Sequence, residues 1–411
     1  MSRALSLLFP AGCLCFVILL GLPGAIYAPD SGYYRLLALG QRTAVPAPFS
    51  ARILGPAIAG WLGRGFGVDT GFMILGIVCL AGLLAIMAAL LWSWKAPAVF
   101  FAGIFLMPFW IDLFHDYYLP DLLHATILAA ILLCLLFGHT WLALLLLFPA
   151  YLARESTLLV AVCLVIAGWR RIPFRTASAG LFALLAGGLV SRHFGQGAPG
   201  SVHGFGGGEY IFGKFFWSFF KNVLGLPLWS NTLPECSPIW STAIPHGWPL
   251  GAIRAVGFCQ PDSYGPGRLL LAWFGIFGIG PALALALRRR IVSPALEASS
   301  KSTPGVAVVL RFSIVYGMIS LLLTPLLGAS VERLVEYGWP FYFVALPWFL
   351  LKPWEGRANR SLVVLLLHLL TCWFAWFSFR QYGAGVLLPG LTVLALNAVC
   401  YGLVKGHNPV S

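Results

Sequence analysis

Long apolar runs separated by short polar connections set the pattern of this chain. Runs near 5–27, 71–94, 96–111, 121–138, 140–153, 157–169, 177–191, 268–287, 306–328, 338–351, 361–379 and 385–404 carry almost no charge. About twenty apolar residues cross a bilayer as a helix, so the pattern predicts an all-α polytopic membrane protein with about twelve transmembrane helices (roughly 10–13). Runs 140–153 and 157–169 are shorter than a crossing and meet at Arg154 and Glu155. Lipid cannot face such a break, which predicts a broken or re-entrant pair lining a cavity. The run 5–27 has the small residues Ala25 and Ala28 of a cleavable signal at its end. We read it as an uncleaved first span, because Asp30 follows at once.

Two connections are long. Residues 28–70 hold Pro46, Pro48 and Pro56 and read as interfacial helical pieces lying along the membrane surface. Residues 192–267 are rich in Gly, Pro and Trp and form the sizeable extramembrane loop. Neither alternates as a strand does. Without repeats or a separate soluble domain, 1–411 reads as a single transmembrane domain.

Composition agrees with a lipid solvent. The chain is 60% hydrophobic and 9% charged, where soluble domains carry about a quarter charged residues. A net charge of +13 would point to nucleic acid in a soluble protein. Here the cations fall in short clusters between apolar runs, where orientation and anionic headgroups account for them and no nucleic-acid partner is expected. Lys95, Arg170, Arg171, Arg175, Arg288, Arg289, Arg290, Lys352, Arg357, Arg360 and Lys405 lie in alternate connections. The positive-inside rule makes those connections and both termini cytoplasmic. Of the 13 carboxylates, all but Glu297 and Glu355 then fall on the opposite face. Acidic residues contribute little to topology, so this one-sidedness predicts a working face outside the cytoplasm.

Several groups on that face can carry chemistry. Asp30, in Asp30-Ser31-Gly32-Tyr33-Tyr34-Arg35, reads as a general base beside sugar-holding or lipid-holding aromatics, or as a helix N-cap. Arg52, in Pro48-Phe49-Ser50-Ala51-Arg52, reads as a phosphate-binding fork or as a cation snorkelling to headgroups. Asp112, His115, Asp116, Tyr117 and Asp121 share one short segment. It can hold a divalent cation or an acceptor sugar, or be a polar turn capped by Asp121; its spacing is no metal signature. Arg154-Glu155 is costly at depth unless paired with each other or with substrate. In Glu332-Arg333-Leu334-Val335-Glu336-Tyr337, Arg333 can bind phosphate. Glu332 and Glu336 repel across one turn unless a cation such as Arg333 relieves them. Seven of the nine cysteines lie in or beside apolar runs; Cys236 and Cys259, in the large loop, can close a disulfide in an oxidising compartment. There is no P-loop, zinc spacing or nucleophile elbow, and the Gly-rich stretch 204–208 follows no strand.

These features together resemble the GT-C superfamily of integral-membrane glycosyltransferases. The likeness rests on Asp30 in the first outside loop, surface helices after it, the Pro-Phe-Ser-Ala-Arg segment, the Arg154-Glu155 pair, and Glu332-Arg333-Leu334 leading to Trp339-Pro340. The chain departs from the family in having neither a large C-terminal soluble domain nor a DxD pair. The resemblance implies inverting transfer of a sugar from a polyprenyl-phosphate donor to a glycan, lipid or protein acceptor. It implies a bacterial inner membrane, with the active site on its periplasmic or extracellular side. Asp30 is then the base, and Arg52, Arg154 and Arg333 bind the donor phosphate. Asp116, Glu155, Asp121 and Glu332 position the acceptor or act as a second carboxylate, and Tyr33, Tyr34 and Tyr117 make aromatic contacts. No cofactor is required, and a divalent cation can be accommodated. The rival within the same chemistry is an O-antigen ligase or polymerase, whose late-loop Arg and His have counterparts in Arg192, His193, His203, His246 and Arg254. A secondary transporter fits less well, since it calls for repeats and midplane charges.

Overall fold

The computed structural model describes residues 3–22, 30–47, 49–168, 171–194, 198–201, 215, 218–225, 264–292, 304–327, 331–354, 358–381 and 386–405. Nearly all of them are helical. Among the described residues six helices are long and apolar enough to cross a membrane: Val68–Ser93, Ala98–His115, Phe174–Phe194, Gly305–Leu327, Leu362–Arg380 and Leu387–Lys405. A pair bent by 65°, Gly265–Gly275 with Gly280–Ala286, makes a seventh candidate. Shorter apolar helices lie at Leu7–Gly21, Pro120–Leu136, Thr140–Ala153, Thr157–Gly168 and Pro340–Leu351. Among the described residues each apolar run of the sequence is largely helical, and the chain is a helical membrane protein. The short runs stay short, so crossing length is met by about half of them.

The chain divides into two compact units, one of Met1–Val202, Ser293–Tyr316 and Phe343–Leu351, the other of His203–Val292, Gly317–Tyr342 and Lys352–Ser411. The first unit begins with α1 (Arg3–Gly21), α2 (Ser31–Ala38), α3 (Leu54–Leu62) and α4 (Val68–Ser93). It continues through α5 (Ala98–Phe105), α6 (Phe109–His115), α7 (Pro120–Leu136), α8 (Thr140–Leu145) and α9 (Leu147–Ala153), then α10 (Thr157–Gly168) and α11 (Phe174–Phe194). Its helix faces are sorted for lipid. On α11, Leu181, Phe182, Leu185 and Leu189 are exposed while Gly180, Ala183, Gly187 and Ser191 are buried. Large apolar groups outward and small ones inward let backbones approach where hydrocarbon, not water, surrounds the bundle. The same economy of size joins α3 to α4: a Cβ on Gly71 would lie 2.0 Å from the Ala59 carbonyl oxygen.

Sequence reading expected no pairing of extended chain. The described residues include one small instance: β1 (Pro46–Ala47) pairs in parallel with β2 (Ala198–Ser201), with Pro46 opposite Ala198. This ties the first long connection, 28–70, to the start of the second, 192–267. Trp110 is buried within this unit, against Phe105, Phe109 and Phe343.

In the second unit, helix Tyr264–Gly275 packs on helix Leu387–Lys405 around Leu271, Ala375, Val386 and Val393. The run 268–287, expected as one continuous span, is broken at 276–279, where Gly278 has φ +54°. Asn397 staples the break. Its Nδ2 donates to the Phe274 carbonyl at 2.7 Å and its Oδ1 accepts from the Ala282 N–H at 3.2 Å. Backbone groups freed by a bend in hydrocarbon need such partners.

Candidate functional site

The site grows from the first long connection, 28–70. Asp30 stands at the N-cap position of α2, as the capping alternative expected, but its side chain makes no capping hydrogen bond. One turn on, Tyr34 is buried, and Tyr33 stacks on Phe49 with ring centroids 4.9 Å apart. Phe49 opens a short 3-10 turn, Phe49–Ala51, that delivers Arg52. Ser191 at the end of α11 donates its hydroxyl to the Ala51 carbonyl at 2.8 Å and holds that turn in place.

Arg52 does not snorkel. Its Nε donates to Glu155 Oε2 at 2.8 Å and its Nη2 to Glu155 Oε1 at 2.5 Å, a bidentate fork across 103 residues of sequence. Its Nη1 donates to the Tyr34 hydroxyl at 2.8 Å, and its guanidinium lies 5.6 Å from the centre of the Phe49 ring. Burial works against the Arg52 charge, but the Glu155 and Tyr34 contacts outweigh it and raise the group above its ordinary value. Burial likewise pushes the Glu155 carboxyl up, and the Arg52 fork with the nearby Arg154 charge reverses this and holds it down at about 2.

Arg154 and Glu155 do not pair with each other, as the sequence had allowed. Arg154 ends α9 in extended backbone, φ −160° and ψ 134°, which sends neighbouring side chains to opposite sides. Arg154 instead forms an ion pair with Asp121, both side chains about nine-tenths buried. Asp121 is thus a counter-ion within the first turn of α7 and not its cap, a position taken by Leu119. The Arg154 carbonyl accepts the Thr157 hydroxyl at 2.8 Å, and that hydroxyl meets His124 Nε2 at 3.1 Å. Asp121 and His124 lie three residues apart, a spacing that puts both on one helix face. That spacing was the available signal for His124, which sequence reasoning missed.

Other expected residues lie close by or elsewhere. Tyr117 stacks on Tyr118 at 4.8 Å, and the Tyr118 hydroxyl donates to Asp69 at 3.1 Å. Asp69 also takes the fork of Arg35, at 2.9 and 3.2 Å. Asp112 sits in the first turn of α6 and Asp116 directly follows that helix. Among the described residues no three His, Cys, Asp or Glu side chains converge as a metal site. Tyr34, Phe72, Tyr117 and Leu123 help to line a narrow, mostly apolar recess of about 10 Å³ beside the cluster.

Glu332 and Arg333 belong to the second unit, on the short helix Val331–Glu336. The cation that meets Glu332 is Arg268, from helix Tyr264–Gly275, and not the adjacent Arg333. Arg268 lay hidden as the first residue of an expected span. Glu332 Oε2 is buried with no hydrogen-bond partner among the described residues. Cys236 and Cys259, and with them His203, His246 and Arg254, lie outside the described residues. Arg192 and His193 are exposed at the end of α11.

Compared with models of protein families, with curated proteins and with solved structures, the chain matches none. Its chemistry has to be read from the cluster itself. Arg52, Arg154, Asp121 and Glu155 bring two cations and two anions to one end of the first unit, so the cluster is neutral as a set. A guanidinium offers five N–H donors in a fixed fork, and the fork of Arg52, which grips the Glu155 carboxylate, is of the kind that also grips other anionic oxygens.

Proposed function

We propose that this protein is a membrane glycosyltransferase of GT-C-like architecture, with about twelve crossings, moving a sugar from a polyprenyl-phosphate donor to an extracytoplasmic acceptor. The observation that carries the reading is the Asp30–Tyr34–Arg52–Glu155 constellation. A carboxylate at an N-cap position whose side chain makes no capping hydrogen bond stands one helical turn from the tyrosine that receives Arg52. A lipid donor needs apolar surface, a cation for its phosphate and a base for the acceptor; in this reading the apolar side chains beside the cluster, Arg52 and Asp30 supply them. In the reaction the acceptor hydroxyl gives its proton to Asp30. Its oxygen forms a bond to the anomeric carbon from the face opposite the donor phosphate. The sugar–phosphate bond breaks, and polyprenyl phosphate leaves with the electron pair, its charge balanced by arginine. One positioned base contributes about 10²–10⁴-fold. The envelope of a bacterial cell, with the site on the non-cytoplasmic face, is the setting this requires.

The charge balance of the cluster favours a second reading, a structural clamp fastening the first outside segment to the bundle, since structural ion-pair networks are neutral in the same way. Transfer assays in nanodiscs with pooled polyprenyl-phosphate sugars separate the two. Wild type transfers, and Asp30→Asn loses at least about 100-fold while melting at the wild-type temperature. An Asp30→Asn variant of full activity removes Asp30 as base, and a wild type inert towards every donor leaves the clamp.

A further inference from the structure

The Arg52–Glu155 pair is asymmetric. The Arg52 side chain is 12% exposed and the Glu155 side chain 41%. Arg52 is fixed independently of Glu155, by the Tyr34 hydroxyl and the Phe49 ring, on a turn held by Ser191. Glu155 sits instead in the break between α9 and α10, beside the extended Arg154. Rotating its side chain away unwinds no helix. We propose that this pair is an exchangeable lock: a phosphate-bearing headgroup takes the Arg52 fork and displaces the Glu155 carboxylate towards solvent.

The exchange is chemically matched. Carboxylate and phosphate each present two oxygens to the same pair of N–H groups. One anion replaces another, so the buried Arg52 never goes uncompensated, while Arg154 keeps Asp121 throughout. The released Glu155 is repelled by the incoming phosphate and becomes available to an acceptor hydroxyl. Occupation of the donor site and exposure of a second carboxylate are thereby one event. This rests on the reading that Arg52 meets the donor phosphate, and adds that Glu155 competes for the same fork instead of assisting it.

The two roles predict opposite signs. Purified protein in zwitterionic nanodiscs is titrated with farnesyl phosphate and, separately, with inorganic phosphate, for wild type, Glu155→Gln and Arg52→Lys. Exchange predicts that Glu155→Gln binds farnesyl phosphate about tenfold more tightly than wild type, because the competing charged hydrogen bonds are gone. Arg52→Lys, without the fork, binds more weakly. Because either variant can be destabilised, phosphate-induced thermal stabilisation of Glu155→Ala is measured as well, and exchange predicts that it exceeds that of wild type. If wild type binds while Glu155→Gln and Glu155→Ala show no gain, the lock is overturned and the phosphate site survives. If neither wild type nor Glu155→Gln binds either probe, the phosphate site and the lock fall together. Equal gains for both probes assign the lock to any phosphate anion, and a gain confined to farnesyl phosphate assigns it to a lipid headgroup.

Discussion

Arg52 and Glu155 show how far a single residue's environment departs from its sequence neighbourhood. The Glu155 carboxyl is held at about 2 against an ordinary value of 4.5. A depressed carboxyl stabilises the fold fully above its unfolded value and loses that contribution as pH falls through the folded one. The melting temperature of wild type should therefore drop as pH is lowered from about 4.5 to about 2, and Glu155→Gln should drop less over the same window. Parallel curves for the two proteins would mean that the fork contributes nothing to stability. The solvent exposure of Glu155 keeps the expected difference small, since a half-open pair is screened by water. Sequence made the cost of Arg154-Glu155 plain, since two charges between apolar runs need partners. Which partners they found was not legible. Asp121 and Arg52 stand 33 and 103 residues away from them.

At the scale of an element, the broken helix of the second unit is the clearest case. Gly275-Ile276-Phe277-Gly278-Ile279-Gly280-Pro281 is a weak helical stretch inside an apolar run, and its glycines were the visible hint of a break. Only Gly tolerates the positive φ at 278 without strain, and a Cβ there would lie 2.5 Å from His368 Nδ1. The staple was invisible, because Asn397 belongs to another helix. Its Nδ2 also faces the Gly278 and Val393 carbonyls, at 3.3 and 2.9 Å. Asn397→Ala leaves buried backbone groups without these bonds and should destabilise the protein by about 1–3 kcal/mol. Unfolding in mixed micelles measures this, and an unchanged transition would show that the bend holds itself. The interfacial pieces expected in 28–70 are present as α2, two 3-10 turns and α3. Their role emerges only through Tyr34 and Phe49, which bring the turn carrying Arg52 against the break between α9 and α10.

For the whole molecule, orientation is the open physical question that the charges address. α4 spans 26 residues, about 39 Å at 1.5 Å per residue, with Arg64 before it and Lys95 after it. Both side chains are exposed. On a cysteine-free background, Arg64→Cys should react with a membrane-impermeant maleimide in intact cells, and Lys95→Cys only after permeabilisation. The reverse pattern would turn the protein over and move the acidic face into the cytoplasm, where a donor-dependent transferase of the kind proposed has no place.

The sequence by itself determined where the helices are and that their solvent is lipid. In hydrocarbon every backbone group must be satisfied within the segment, so composition alone forces helix on an apolar run. It also determined that the carboxylates gather between particular runs, because charge is excluded from the runs themselves. Tertiary structure alone decided the pairing of those charges: Arg52 with Glu155, Arg154 with Asp121, Arg268 with Glu332. An ion pair needs its partners within about 4 Å, and that distance is set by helix packing between segments far apart in the chain. Extended backbone at Arg154 and the hydroxyl of Ser191 help to fix the first two of these pairs, and no sequence neighbour of those residues specifies their partners.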